Sequence, residues 1–147
     1  MTSPKKMPKV GLVMTSFPYF VEASATVAAM EDMMDDHDIR HLPVQEKGKV
    51  VGIVSERDLH HFIKRSATPE EKDNIRARDV MVGDPYLVAF STPLSEVVSG
   101  MAARHIGSAI VMRRGKLAGV LTTIDVCRIL SDYLETMFPQ GGGNAAA

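Results

Sequence analysis

Apolar positions along this chain fall into two periods, and the same succession of periods runs through it twice. A short β-prone run at Tyr19-Phe20-Val21 precedes Thr26 to Met34, where Val27, Met30, Met33 and Met34 repeat at the spacing of one helix face. Leu42-Pro43-Val44 and Val50-Val51-Gly52-Ile53-Val54 read as two strands, and the Glu46-Lys47-Gly48-Lys49 turn between them carries the glycine that a tight hairpin wants for positive φ. A second helix is predicted from Glu56 to about Lys64. The order then replays: a strand at Tyr86-Leu87-Val88, a helix from Pro93 to His105, strands at Ala109 to Met112 and Leu117 to Leu121 around Arg113-Arg114-Gly115-Lys116, and a closing helix from Thr123 to Met137. The predicted class is α+β, each copy running β-α-β-β-α.

The copies are in register without a gap. Gly52 and Gly119 stand 67 positions apart, as do Asp58 and Asp125, Val13-Met14 and Val80-Met81, Met34 and Met101, and Gly48-Lys49 and Gly115-Lys116. A unit of roughly 60 residues alone buries little surface, so the two copies are expected to pack on each other. The division that follows is repeat one at 9–66, a linker at 67–78, repeat two at 79–138, and flexible tails at 1–8 and 139–147. Within the linker, Thr68-Pro69-Glu70-Glu71 has the makings of one helical turn, with proline at a first helical position and acids near the N-terminus.

Composition narrows the class. A net charge of −1 on 147 residues, with no basic stripe beyond the Lys5-Lys6 and Arg113-Arg114 pairs, argues against nucleic acid. Cys127 is the single cysteine, so no internal disulfide forms. With no signal peptide and no long apolar run, the expectation is a soluble, cytoplasmic protein without a membrane partner.

The candidate chemistry lies in the repeated stretch Gly52-Ile53-Val54-Ser55-Glu56-Arg57-Asp58 and Gly119-Val120-Leu121-Thr122-Thr123-Ile124-Asp125. Each is an apolar strand ending in a hydroxyl, with a carboxylate three residues on at a helix mouth. Unpaired N–H groups and the helix dipole favour an anion there. Ser55 and Thr122 can add a hydrogen bond, while Asp58 and Asp125 are acceptors suited to the vicinal hydroxyls of a ribose. Capping boxes have the same form, with the hydroxyl serving the helix backbone and the acid its dipole. Both roles stay open on these residues.

A tandem β-α-β-β-α unit that opens each copy with Val-Met and closes each with Gly-h-h-[Ser/Thr]-x-x-Asp (h for apolar) resembles a pair of cystathionine-β-synthase (CBS) domains, the Bateman module, from about Lys9 to Phe138. The resemblance implies two repeats about a pseudo-two-fold axis, with adenine nucleotides in the clefts between them. It further implies aspartates on ribose, hydroxyls beside phosphates, and base slots lent by the opposite repeat, so that Asp58 pairs with Tyr86-Leu87 and Asp125 with Tyr19-Phe20. Basic residues just before the strand reach phosphates in such pairs. Arg40 and His41 fit that position, whereas their counterparts Gly107 and Ser108 do not, so unequal sites are expected. A homodimer and a regulated partner protein are implied as well.

Other chemistry finds less support. His37 and His41 stand i, i+4 but straddle the junction of a helix and a strand, and with His60-His61 they read as solvated rather than metal-binding. Cys127 reads as a buried structural thiol and the methionines as core. Phosphate loops rich in glycine are absent, as is any nucleophile–base pair, so the reading is not an enzyme. It is a regulatory module sensing AMP, ADP or ATP, with S-adenosylmethionine or NAD as further candidate ligands. The alternative is an interaction or dimerisation module with no nucleotide.

Overall fold

The structure, a computed structural model, describes residues 5–16, 19–65 and 68–140. A short 3-10 turn at Val10–Leu12 leads to β1 (Val21–Glu22), α1 (Val27–His37), β2 (His41–Glu46), β3 (Lys49–Ser55) and α2 (Glu56–Arg65). After α3 (Pro69–Asn74) and α4 (Ala77–Val80) come β4 (Val82–Gly83), β5 (Leu87–Ala89), α5 (Leu94–Arg104), β6 (Ser108–Arg113), β7 (Lys116–Thr122) and α6 (Thr123–Met137). The result is two α+β repeats, one sheet ordered β1-β2-β3-β4 and the other β5-β6-β7. In both, the first strand runs parallel to the second and the hairpin is antiparallel.

Local chemistry explains the shared outline. The hairpin tips take positive φ at Lys47 (51°) and Gly48 (76°), and again at Arg114 (54°) and Gly115 (76°), the twist that suits a two-residue turn. Thr26 caps α1 by accepting from Ala29 N at 3.1 Å. At the other end α1 stops at Asp38 and α5 at His105, both left-handed, which turns the chain back into the next strand.

Two differences from the sequence expectation matter. Tyr19 and Phe20 precede β1, and Tyr86 precedes β5, so the tyrosines stand at strand entrances rather than within strands. The 67–78 stretch is more than a linker. Thr68 accepts from Glu71 N at 3.2 Å to start α3, and Ile75 and Ala77 are buried in the first repeat's core, as is Val80 just beyond the stretch. Small side chains masked that contribution, because Ala77 is buried by position and not by size. At the N-terminus, Pro8 accepts a bond from Leu94 N at 2.9 Å, so the end of that stretch is fastened to α5. Residues 141–147 of the expected C-terminal tail lie outside the described residues, as do 1–4.

The cores show how the copies combine. One gathers Met30, Leu42, Val44, Val54 and Leu59 with Ile75 and Ala77 from the linker and Val80 from the start of repeat two. The other gathers Val97, Met101, Val111 and Leu121 with Val10 from the start of repeat one. Each repeat's opening segment is thus exchanged onto the other. On one side Val82 and Gly83 pair with Ile53 and Gly52. On the other, Thr15 and Val120 trade two backbone bonds of 3.1 Å. The motif glycines lie directly beneath: a Cβ on Gly52 would stand 2.9 Å from Val82 O and against Met81, and one on Gly119 would strike Thr15 O and Met14.

Gly52→Ala or Gly119→Ala should therefore lower stability by roughly 1–3 kcal/mol, the cost of overpacking, read as a lower urea midpoint. Gly83→Ala, which points into open space, serves as the neutral control. Midpoints equal to that control would show that the exchanged segments do not press on these glycines.

Candidate functional site: two unequal clefts between the repeats

The helix mouths are capped in both copies. Ser55 Oγ accepts from Asp58 N at 3.0 Å, and Thr122 Oγ1 accepts from Asp125 N at 3.3 Å. In repeat two the box closes: Asp125 Oδ2 accepts from Thr122 N at 2.8 Å and from its hydroxyl at 3.0 Å, while Oδ1 takes the Thr15 hydroxyl at 3.2 Å. The Asp58 carboxylate accepts no such bond from the described residues. Of the two roles left open by the sequence, capping is thus observed for both hydroxyls, and the two aspartates are in different states.

The open helix amides foreseen for an anion are also largely taken. Glu56 N donates to Arg40 O at 2.8 Å and Thr123 N to Gly107 O at 3.0 Å. With Asp58 N and Asp125 N on their caps, the first turns of α2 and α6 keep the amides of Arg57 and Ile124 free. Anion binding here falls mainly to side chains.

Those side chains are unevenly distributed. The Asp58 cleft, about 790 Å³, is bordered by Ser55, Glu56, Arg57, Asp58, His60, His61 and Lys64, by Arg40, His41 and Val82, and from repeat two by His105, Ile106, Gly107 and Ser108. Arg57, His60, His61 and Lys64 follow one side of α2 at helical spacing. The corresponding positions on α6 are Ile124, Cys127, Arg128 and Ser131. The Asp125 cleft, about 450 Å³, is bordered by Thr15, Thr122, Ile124, Asp125 and Arg128 together with residues 37–41. Its permanent cations, Arg40 and Arg128, share the lining with Asp38 and Asp125.

His41 lies between the clefts. Burial pushes its pKa below the ordinary 6.5, while Asp58 and then Asp125 draw it back up. Neither it nor His37 is simply solvated: both border the Asp125 cleft, and His37 stacks on Tyr19 with ring centroids 3.7 Å apart. His60 and His61 border the other cleft. Among the described residues no group of three or more His, Cys, Asp or Glu is disposed to hold a metal.

The base-slot expectation needs correction. Tyr86 and Leu87 are not among the residues bordering the Asp58 cleft. Tyr86 packs in the second core with the Arg104 guanidinium 4.1 Å over its ring. Leu87 instead meets Phe20 in a separate groove of about 480 Å³, flanked by Lys49 and Lys116. Tyr19 stacks on His37, which borders the Asp125 cleft. Phe20 and Leu87 border the separate groove with Gly48, Lys49, Gly115 and Lys116 of the hairpin tips, and neither borders the Asp58 or the Asp125 cleft. The cysteine reading is also corrected: Cys127 is exposed, since no residue of α6 is buried.

Because folding depresses the pKa of His41, the unfolded chain takes up its proton first as the pH falls. The fold is therefore most favoured above 6.5 and loses stability below it, until the lowered native value is passed. His41→Ser, the residue of the second repeat, should reduce the rise in urea midpoint between about pH 5 and pH 8. An unchanged pH profile would show that His41 does not titrate differently in the two states.

Comparison with known proteins agrees with this architecture. Over this chain the best-matched solved structures include the protein of Vibrio cholerae provisionally assigned to acetoin utilization (AcuB), at 29% identity, TM-score 0.74, covering 92% of this chain and 99% of that one. The CBS domain pair of protein MJ0100, in complex with 5′-methylthioadenosine and S-adenosyl-L-methionine, aligns at 18% identity and TM-score 0.75 over 87% of this chain and 99% of that one. A bacterial CNNM/CorC Mg²⁺ transporter CBS domain in complex with ATP aligns at 22% and 0.71, covering 84% and 87%. Among curated relatives, a zinc metalloprotease of Methanocaldococcus jannaschii is 29% identical over 119 residues, 81% of this chain, but the chain spans 31% of its length. For the inosine-5′-monophosphate dehydrogenase of Staphylococcus epidermidis the span is 23%. The CBS domain family model matches residues 10–65 and 77–132, and the chain belongs to that family as a tandem pair of CBS domains.

Proposed function

We propose that this chain is a regulatory module that binds an adenine nucleotide, AMP, ADP or ATP, in the Asp58 cleft. The observation that carries the reading is the Asp58 carboxylate, which accepts no hydrogen bond among the described residues, beside the basic side of α2 in a cleft of ligand size. Asp58 accepts the ribose hydroxyls without first giving up a bond, whereas Asp125 would have to release Thr15 or Thr122. Arg57, Lys64 and Arg40 supply charge-assisted bonds to the phosphates. Two relatives of the same fold with adenosyl ligands or ATP support this choice of class, and S-adenosylmethionine and NAD belong in the same panel.

The regulatory step follows from the lining. A ligand there touches Ser55 and Asp58 of one repeat and His105 to Ser108 of the other, so it favours whichever relative placement of the repeats grips it best. No catalytic role is proposed, and the listener is either a separate protein or a second copy of this chain. α6 supports the second copy: Leu130, Tyr133, Leu134 and Met137 are each 44–54% exposed along one side of it, an apolar face that a homodimer would cover. A cytoplasmic setting suits such a sensor. Among the described residues no helix is long and apolar enough to cross a membrane.

In a thermal-shift panel of AMP, ADP, ATP, S-adenosylmethionine and NAD, a ligand at 100 times its Kd should add roughly 2.7 kcal/mol. Asp58→Ala should weaken that ligand's binding with little change in unliganded stability, while Asp125→Ala should cost about 1 kcal/mol as a lost cap. No shift with any of the five would remove the nucleotide reading. For the dimer, the chain should sediment at twice its mass and Leu134→Glu as a monomer; a monomeric wild type would overturn it.

A further inference from the structure

The two clefts do not have independent walls. Residues 38–41 border the Asp125 cleft and their counterparts 105–108 the Asp58 cleft, yet Arg40 and His41 border both, while Gly107 and Ser108 border the Asp58 cleft alone. The cause is side-chain length on a fixed backbone. Arg40 O is held by Glu56 N, and Gly107 O by Thr123 N, so each lead-in is pinned at the mouth of its own repeat's second helix. Gly107 and Ser108 border only the other repeat's cleft, whereas the longer side chains of Arg40 and His41 border the other repeat's cleft and their own as well. His41 accordingly senses the carboxylates of both clefts, Asp58 and Asp125.

We propose that Arg40 and His41 form one anion-receiving arm shared by the two clefts, so that each chain binds a single polyphosphate nucleotide tightly and the remaining cleft favours an adenosyl ligand without a phosphate chain. This rests on the nucleotide reading above. One guanidinium cannot present its planar fork to two phosphate groups on opposite sides. The Asp58 cleft retains Arg57 and Lys64 wherever the arm points. The Asp125 cleft without the arm has Arg128 as its one arginine against two carboxylates, Asp38 and Asp125, which is no environment for a second polyphosphate.

Isothermal titration of the full chain with ATP tests this. Wild type should bind one equivalent tightly and a second about tenfold or more weakly, and protein loaded with a single equivalent of ATP should still take up one equivalent of adenosine. Gly107→Arg gives repeat two its own arm; the added Cβ has only Thr123 Oγ1 at 3.4 Å and His41 Nε2 at 3.9 Å nearby. In that variant the second ATP should approach the first in affinity. Arg40→Ala, a deletion that places no new bulk, should weaken the first ATP and narrow the gap. Two equal ATP sites in wild type, or a gap unchanged in both variants, overturns the shared arm while leaving the nucleotide reading intact. No heat with either ATP or adenosine removes both together.

Discussion

The exchange of opening segments between the repeats is the contact on which the other features depend. Met81 and Val82 cross Gly52, and Met14 and Thr15 cross Gly119, so each sheet is completed by the other copy's chain. That crossing puts Thr15 beside Asp125 and Val82 into the Asp58 cleft. The glycines of the motif are explained by this close approach and not by any left-handed turn. The same crossing sets the two helix mouths on either side of one pseudo-axis, close enough for a single histidine to lie between both carboxylates.

Duplication supplied symmetry, and a few substitutions then broke it where charge matters. The backbone frame is kept pair by pair: Glu56 N on Arg40 O matches Thr123 N on Gly107 O, and Asp38 matches His105 at the helix ends. On that frame the side of α2 facing its cleft is basic, whereas the same side of α6 is mostly apolar or neutral. The Thr15 hydroxyl has no equivalent either, since position 82 is valine. One aspartate is therefore built into the structure and the other left available.

Much of this was legible in the chain. The constant offset of 67 gave the two-copy architecture, the hairpin glycines and the closing helix, because turn chemistry and helical periodicity are local. What escaped was non-local. Ile75 and Ala77 looked like linker because nothing in a run of small and charged residues says which sheet it will cover. Tyr19, Phe20, Tyr86 and Leu87 were assigned to base slots, but nothing local in the chain says which groove each of these side chains enters. The basic side of α2 could have been found by laying Arg57, His60, His61 and Lys64 on a helix next to Asp58; histidines two and three residues beyond a motif do not otherwise stand out. The sequence contrast of Arg40-His41 with Gly107-Ser108 did point to inequality, but only the fold shows that the longer pair borders both clefts.

The exchanged segments also bear on how the molecule comes apart. Neither half has a complete core, since Val10 belongs to the second and Val80 to the first. Loosening one repeat exposes the apolar underside of a segment that the other repeat holds in place, so partial unfolding of a single repeat leaves both damaged. The pair behaves as one cooperative unit despite its two sheets, and a cut between residues 65 and 68 would yield two fragments that are stable only when each completes the other.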